Sequence, residues 1–428
     1  MAHDPRVEGE GTSAQHRRRW WSREALALKT TEAQRNGAVS RNVVLLGVVS
    51  LFADISGEMV YPIIPLFLTS TLGAPAIVVG VIEGVAESTA SLLKFVFGWF
   101  SDRLSRRLPF AIAGYGLAGV AKPLLAAAYA WPVVLVIRFM DRAGKGVRTA
   151  PRDALIAESV DSASLGRAFG LHRAMDTSGA VVGPLVALAL LAWFGGHNYR
   201  PIFLIAGIPG LVSLLLLATV REIRHRPRAG AGPPPLSLHG YDRRFLAFVA
   251  VTLVFAVGNS SDAFLVLRAE DLGLGATAVV LAYALYNVSY AGLSLPAGIH
   301  SDRIGRKPVL IAGFVIFALV YAGFALANDG WAVWPLFLVY GAYIAFTEGV
   351  GKAYVAELVP AERRGTAMGL YNASTGVMLL LSSIVGGALW DVAGPPATFA
   401  FGACTAALAA GLLAALSPEG PPSVVRAD

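Results

Sequence analysis

Long apolar runs alternate with short polar stretches along this chain, twelve times between residues 42 and 416. The runs fall at 42–68, 76–100, 108–130, 132–155, 168–192, 200–220, 246–267, 276–300, 308–328, 333–355, 366–391 and 396–416. Each is close to the ~20 residues with which an α-helix crosses ~30 Å of hydrocarbon. The pattern predicts an all-α polytopic membrane protein of twelve transmembrane helices.

The polar stretches between the runs differ in charge. One set holds Arg103, Arg106 and Arg107, then Arg221 to Arg244, then Arg303, Arg306 and Lys307, then Arg363 and Arg364. The other set has little basic charge beyond Arg268. By the positive-inside rule the basic set faces the cytoplasm, as do both termini, in a cell inner (plasma) membrane protein. The longest internal break, 221–245, carries Pro227, Gly230, Gly232 and three consecutive prolines from Pro233. It reads as a cytoplasmic linker between an N-terminal half, 42–220, and a C-terminal half, 246–416. Residues 1–41 and 417–428 remain as tails. The first tail holds Arg17, Arg18 and Arg19 beside Trp20 and Trp21, a cluster suited either to an anionic membrane face or to a topogenic tail.

Composition agrees with this picture, since 55% of the 428 residues are hydrophobic and 15% charged. The net charge of +7 would suit nucleic acid as a partner, but the bases sit in one set of loops and so report topology instead. The single cysteine, Cys404, and seven histidines without ligand spacing imply no disulfide framework and no metal site. No cleavable leader is expected before the first run. No nucleophile elbow, phosphate-binding glycine loop or zinc-protease motif is present, so neither an enzyme nor a cofactor is expected.

Ionisable side chains inside the runs are the candidate chemistry, because each costs ~2.5–3.5 kcal/mol on insertion scales. Asp54 and Glu58 stand four apart in span 1, as do Glu83 and Glu87 in span 2, with Lys94 beyond. Span 3 has Lys122. Span 4 carries a stripe of Arg138, Asp141, Arg142, Lys145 and Arg148. His172, Arg173 and Asp176 follow in span 5, Asn259 and Asp262 in span 7, and Glu348 and Lys352 in span 10. Tyr283, Tyr286, Asn287 and Tyr290 in span 8, with Tyr371 and Asn372 in span 11, suit a cavity wall. These groups either pair among themselves to hold the bundle together or border a wet pathway. Both readings stay open at this point, with Lys122 read as structural or snorkelling.

One stretch occurs twice. Gly98-Trp99-Phe100-Ser101-Asp102-Arg103-Leu104-Ser105-Arg106-Arg107 returns 200 residues later as Gly298-Ile299-His300-Ser301-Asp302-Arg303-Ile304-Gly305-Arg306-Lys307. Ala157-Glu158 likewise matches Ala356-Glu357. The duplicated stretch resembles the loop motif of major facilitator superfamily transporters, with Ser105 where the family prefers glycine. That resemblance implies two pseudo-symmetric six-helix halves, with helices 1, 4, 7 and 10 lining a central cavity. It implies a conformational gate at Gly98, Asp102, Arg103 and Arg106 and at Gly298, Asp302, Arg303 and Arg306. Gly98 is expected to pack against span 11, Asp102 to sit at that helix's N-terminus, and Asp302 to face the start of span 5.

Arg138, Asp141 and Gly144 resemble the helix-4 motif of proton-coupled members, where the arginine is linked to proton transfer; Arg142 departs from it. Gly170, Gly179, Gly183 and Pro184 resemble the helix-5 motif of drug/proton antiporters, although Ala187 and Leu188 replace its last glycines. Span 1, from Phe52 to Pro65, and the segment Asp141 to Leu155 resemble a prokaryotic branch labelled as multidrug or tetracycline-type permeases. The expectation is therefore a monomeric secondary transporter that binds a small molecule and protons within the lipid bilayer. Proton-coupled export leads, with Asp54, Glu58 and Asp141 carrying the proton and Arg138 tuning them. Uptake of a small organic anion or sugar phosphate, clamped by Arg138, Arg142, Lys145 and Arg173, is the second reading. A membrane sensor that moves nothing is the third.

Overall fold

A computed structural model describes residues 40–104, 106–160, 165–222, 241–360 and 363–416. The tryptophan-flanked basic cluster, the middle of the linker and the last tail lie outside the described residues. Twelve long helical elements follow one another. In the first half they are α1 (Arg41–Glu58), α2 (Ala76–Leu104), α3 (Leu108–Leu124), α4 (Trp131–Glu158), α5 (Leu165–Phe194) and α6 (Arg200–Leu217). In the second they are α7 (Arg243–Gly258), α8 (Ala276–Ile304), α9 (Arg306–Leu326), α10 (Val333–Leu358), α11 (Arg364–Ala393) and α12 (Pro395–Ala415).

Local chemistry sets many of the ends. Prolines stand in the first turns of α3, α4, α6 and α12, where a missing N–H leaves no bond unmade. Gly305 divides α8 from α9 at φ 93°, a left-handed backbone that favours glycine. Asp242 caps α7 by accepting from the Arg244 N–H at 2.9 Å.

Two of the expected spans are not continuous. The first breaks at residues 59–62 and resumes as Ile63–Leu66 and a wider π turn, Phe67–Thr71. Pro62 explains it, since its ring removes a helical donor. The seventh breaks at 259–262 and resumes as Ala263–Asp271. No proline lies there. The freed backbone is held from α11 instead: Ser382 Oγ donates to the Asn259 carbonyl at 3.0 Å, and the Ser261 N–H donates to Ser383 Oγ at 3.1 Å. The two breaks are separated by the same 200 residues as the duplicated loop.

Eleven helical spans among the described residues are long and apolar enough to cross a membrane. The twelfth, α4, carries too much charge to qualify by its own composition. It is wedged between neighbours: a Cβ on Gly144 would lie 2.6 Å from the Gly114 carbonyl of α3, and one on Gly146 would lie 2.9 Å from the Ala90 carbonyl of α2. Backbones this close bury Arg138, Arg142 and Arg148 of its charged stripe, whereas Lys145 is exposed. The outer faces are apolar, as with Leu204, Ile208, Leu211 and Leu215 on α6, all more than half exposed and suited to lipid. The halves meet along α2 with α11, and α5 with α8. Along the first seam Ser88 Oγ donates to the Gly376 carbonyl at 2.6 Å.

Candidate transport pathway

The charges of α4 are met from α2 and α3. Arg138 donates to both oxygens of Glu83, at 2.9 Å and 2.5 Å, and from its third nitrogen to Asp141 at 3.2 Å. Lys122 donates to the other Asp141 oxygen at 3.0 Å. Arg142 reaches Glu87 at 3.1 Å and Asp141 at 3.8 Å. Glu83 and Arg138 are almost fully buried, and a buried bidentate pair of this kind is neutralised in place. Asp141, expected as a proton carrier, is shared by three cations in this conformation. Lys122 is one of them, not a snorkelling residue.

Nearer the basic loops, a second group joins α1, α4 and α5. The Cβ position of Gly179 falls 2.9 Å from Asp54 Cβ, and that of Gly183 falls 2.7 Å from Glu58 Cβ. These two motif glycines therefore seat α5 directly on the acidic face of α1. Buried Pro184 follows them, whereas nothing comes within 4 Å of a Cβ on Gly170. Arg148 approaches Asp54 at 4.0 Å while lying 4.1 Å over the Tyr115 ring. Arg152 holds Asp176 at 3.8 Å and donates to Ser50 at 3.1 Å.

Between the halves lie the aromatic residues. Tyr283 of α8 donates to Glu58 of α1 at 2.9 Å. Tyr286 and Tyr340 donate to Asp262 at 3.4 Å and 2.6 Å. The rings of Tyr61, Tyr283, Tyr286 and Tyr340 form a chain with successive centroids 5.7, 5.2 and 5.5 Å apart. Asn287 is buried and donates to its own helix at the Tyr283 carbonyl. Tyr371 stacks on Phe248 with centroids 6.1 Å apart, so it packs α11 onto α7. Asn372 is half-buried on the same helix.

At the basic end a cavity of about 340 Å³ is lined by Arg173, Tyr290, Ser294, Asp302, Glu348 and Lys352. Along its wall Arg173 of α5 donates to Tyr290 at 2.5 Å, and Tyr290 donates to Glu348 of α10 at 2.7 Å. Lys352 holds the other Glu348 oxygen at 3.1 Å. At the opposite end the halves are in contact. Asp391 of α11 accepts from the N–H groups of Ala76 and Ile77 at 3.0 and 2.9 Å, capping α2. Thr69 donates to Glu270 at 3.5 Å.

Gly98 and Asp302, expected at a gate, make other contacts than those expected. A Cβ on Gly98 would meet Ala150 of α4 at 3.2 Å, and no described atom of α11 lies within 4 Å; the expected packing against span 11 is not made there. The reason is that α4 fills the space behind α2. Gly298 is open and lines the cavity. Asp302 is 71% exposed with Arg306 at 3.6 Å, so it does not sit against α5 in this conformation. The side chains of Asp102 and Arg103 lie outside the described residues. Arg303 and Arg106 are exposed.

The loop arginines are tied to the far end of the fourth helix of each half. Arg107 bonds Glu158 at 3.3 Å and donates to Ser101 at 2.8 Å, while Arg306 bonds Glu357. Arg107, not Arg106, thus does in the first half what Arg306 does in the second. Gly305 turns at positive φ just before Arg306, and serine stands at the equivalent place in the first copy. Tyr61, Tyr340, Arg152 and Asp391 make these contacts without having been singled out from the sequence, although Tyr61 and Arg152 lie within the two segments that carry the resemblance.

Comparison with known proteins gives a consistent result. A family model described as Major Facilitator Superfamily matches residues 46–267 and 245–427. An uncharacterized MFS-type transporter of Methanocaldococcus jannaschii is 34% identical, over 88% of this chain and 94% of its own. The class C tetracycline resistance protein of Escherichia coli is 28% identical, over 80% and 87%. A crystal structure of the nucleoside transporter NupG superposes with a TM-score of 0.74 at 14% identity, over 88% of this chain and 99% of that one, a likeness of fold alone.

Proposed function

The chain belongs to the Major Facilitator Superfamily, and from that premise we propose that it is a proton-coupled secondary transporter exporting a small organic molecule by alternating access. The observation that carries this reading is the polar seam between the halves, where Glu58 of α1 and Tyr283 of α8 join at 2.9 Å. Hydrogen-bonded acids on an interface between two helical halves are costly in a dry bundle and useful beside a path that opens to each side in turn.

We assign the basic loops and both termini to the cytoplasm of an inner-membrane protein. The conformation then has its cavity toward the cytoplasm and its opposite end held shut by Asp391. The moving proton is assigned to Asp54 and Asp176, acids of α1 and α5 held only loosely by arginines of α4 at 4.0 and 3.8 Å, so that a shift of these helices changes their hold on a proton. Export is supported by the resemblance to a tetracycline resistance protein and by the close seating of Gly179 and Gly183 on α1. Anion uptake is less well supported, because Arg138 and Arg142 are already occupied by Glu83 and Glu87.

The test is flux in proteoliposomes under an imposed proton gradient, screened across drugs and organic anions. Export reading expects movement against the proton flow, and lost gradient dependence in Asp54→Asn or Asp176→Asn. Cargo movement indifferent to the gradient removes proton coupling.

A further inference from the structure

Arg138 and Lys122 carry more hydrogens than their partners use. A guanidinium has five N–H donors and an ammonium three. Arg138 spends two on Glu83 and one on Asp141. Lys122 spends one on the Ala118 carbonyl and one on Asp141, each at 3.0 Å. Among the described residues nothing accepts the third hydrogen of Lys122 or the last two of Arg138. Both side chains are buried, 7% and 4% exposed, so bulk water does not reach them. A buried donor without an acceptor is costly.

A small cavity lies beside this surplus. It measures about 10 Å³, sits at the junction of α1, α3 and α4, and is bordered by Lys122, Arg138 and Asp141. Gly57 and Val60 border it from the α1 side, at the break over residues 59–62. Its size suits one water, which needs ~10–15 Å³, and not an organic guest, whose pockets begin near ~300 Å³. Its charges are already balanced: Glu83 offsets Arg138, Asp141 offsets Lys122, and Glu87 offsets Arg142 nearby. Neither a cation nor an anion is called for. Cavities that stay dry are lined by apolar groups, and three of the groups here are ionised.

We propose that this cavity binds a single water molecule, which accepts from Lys122 and Arg138 and donates to Asp141. Three hydrogen bonds are what a buried water typically makes. The water completes the bonding of the α3–α4 charge network at the point where α1 leaves its helix, and so pins the bend of α1 against both neighbours. The site goes beyond the transport reading and does not depend on it.

Two measurements on the purified full-length protein test it. A Cβ on Gly57 would meet Lys122 Cε at 3.9 Å and nothing nearer, so Gly57→Ala adds a methyl beside the cavity without a clash. If water is bound, the methyl evicts it, strands its hydrogen bonds and lowers the melting temperature by about 2 °C or more. In a dry cavity the same methyl fills space and replaces a flexible residue, which raises the melting temperature. X-ray hydroxyl-radical footprinting gives the second readout, because radicals born from a bound water mark the side chains around it. Leu125 and Ile137 line the cavity and are 2% and 5% exposed, so bulk water cannot account for their labelling. They are expected to be labelled in the parent and severalfold less in Gly57→Ala, while Phe203 and Leu217, fully buried away from the cavity, stay unlabelled in both. Should Gly57→Ala fail to fold by gel filtration, labelling of the parent decides alone. Unlabelled Leu125 and Ile137 in the parent, or a Gly57→Ala protein at least as stable as the parent, overturns the site.

Discussion

Arg138 and Glu83 face each other as a fork on a fork, two parallel hydrogen bonds at 2.9 Å and 2.5 Å between α4 and α2. Both side chains are sealed from solvent, with 4% and 1% exposure. Removing one partner of such a pair leaves an uncompensated buried charge and costs about 3–5 kcal/mol. Glu83→Ala is therefore expected to lower the melting temperature sharply. The double substitution Arg138→Met with Glu83→Leu is expected to recover most of it. Melting followed by fluorescence-detected gel filtration checks this, and a Glu83→Ala protein as stable as the parent refutes the pairing argument.

The contact of Asp391 with the first turn of α2 joins the two halves at the end away from the basic loops. A carboxylate on a helix N-terminus contributes typically ~0.3–1 kcal/mol, enough to bias a balanced equilibrium severalfold. Asp391→Ala is expected to shift the population toward the form open at that end. Spin labels at Thr71 and Thr277, in a Cys404→Ala background because Cys404 is exposed and would also react, should report longer distances. An unchanged distance distribution would show that the cap does not hold the end shut.

At the opposite end, Glu348 is gripped by Arg173, Tyr290 and Lys352 on the cavity wall. Glu348→Gln removes the charge that the two bases share, and they then repel each other. In a Cys404→Ala background, Ser294→Cys, on the cavity lining, should react faster with a charged thiol reagent when Glu348→Gln is present than when it is not. Equal rates would place the barrier elsewhere.

Glycines of the fifth helix are not equivalent. Gly183→Leu drives a side chain into Glu58 and the Ile55 carbonyl, 2.7 and 2.9 Å from its Cβ, and overpacking of this kind costs about 1–3 kcal/mol. Gly170→Ala meets nothing and is expected to leave the melting temperature unchanged. Parallel melts of the two variants test the assignment; equal losses would mean that α5 does not seat on α1 through Gly183.

The sequence alone determined the number of spans, the two halves and the identity of the family, because membrane crossing imposes apolar length and the duplication left its motif at one spacing. It also revealed which helices carry charge. Partnership was decided only in three dimensions. Asp141 and Asp262 both read as candidate acids within apolar runs, yet one is ringed by Lys122, Arg138 and Arg142, while the other, among the described residues, is held by tyrosine hydroxyls. The break in the seventh helix was equally hidden, since Ser382 and Ser383, more than 120 residues away, satisfy its backbone. Apolar periodicity is a one-dimensional property of a helix. The satisfaction of buried charges and freed carbonyls depends on which helices touch, and only the packed bundle fixes that.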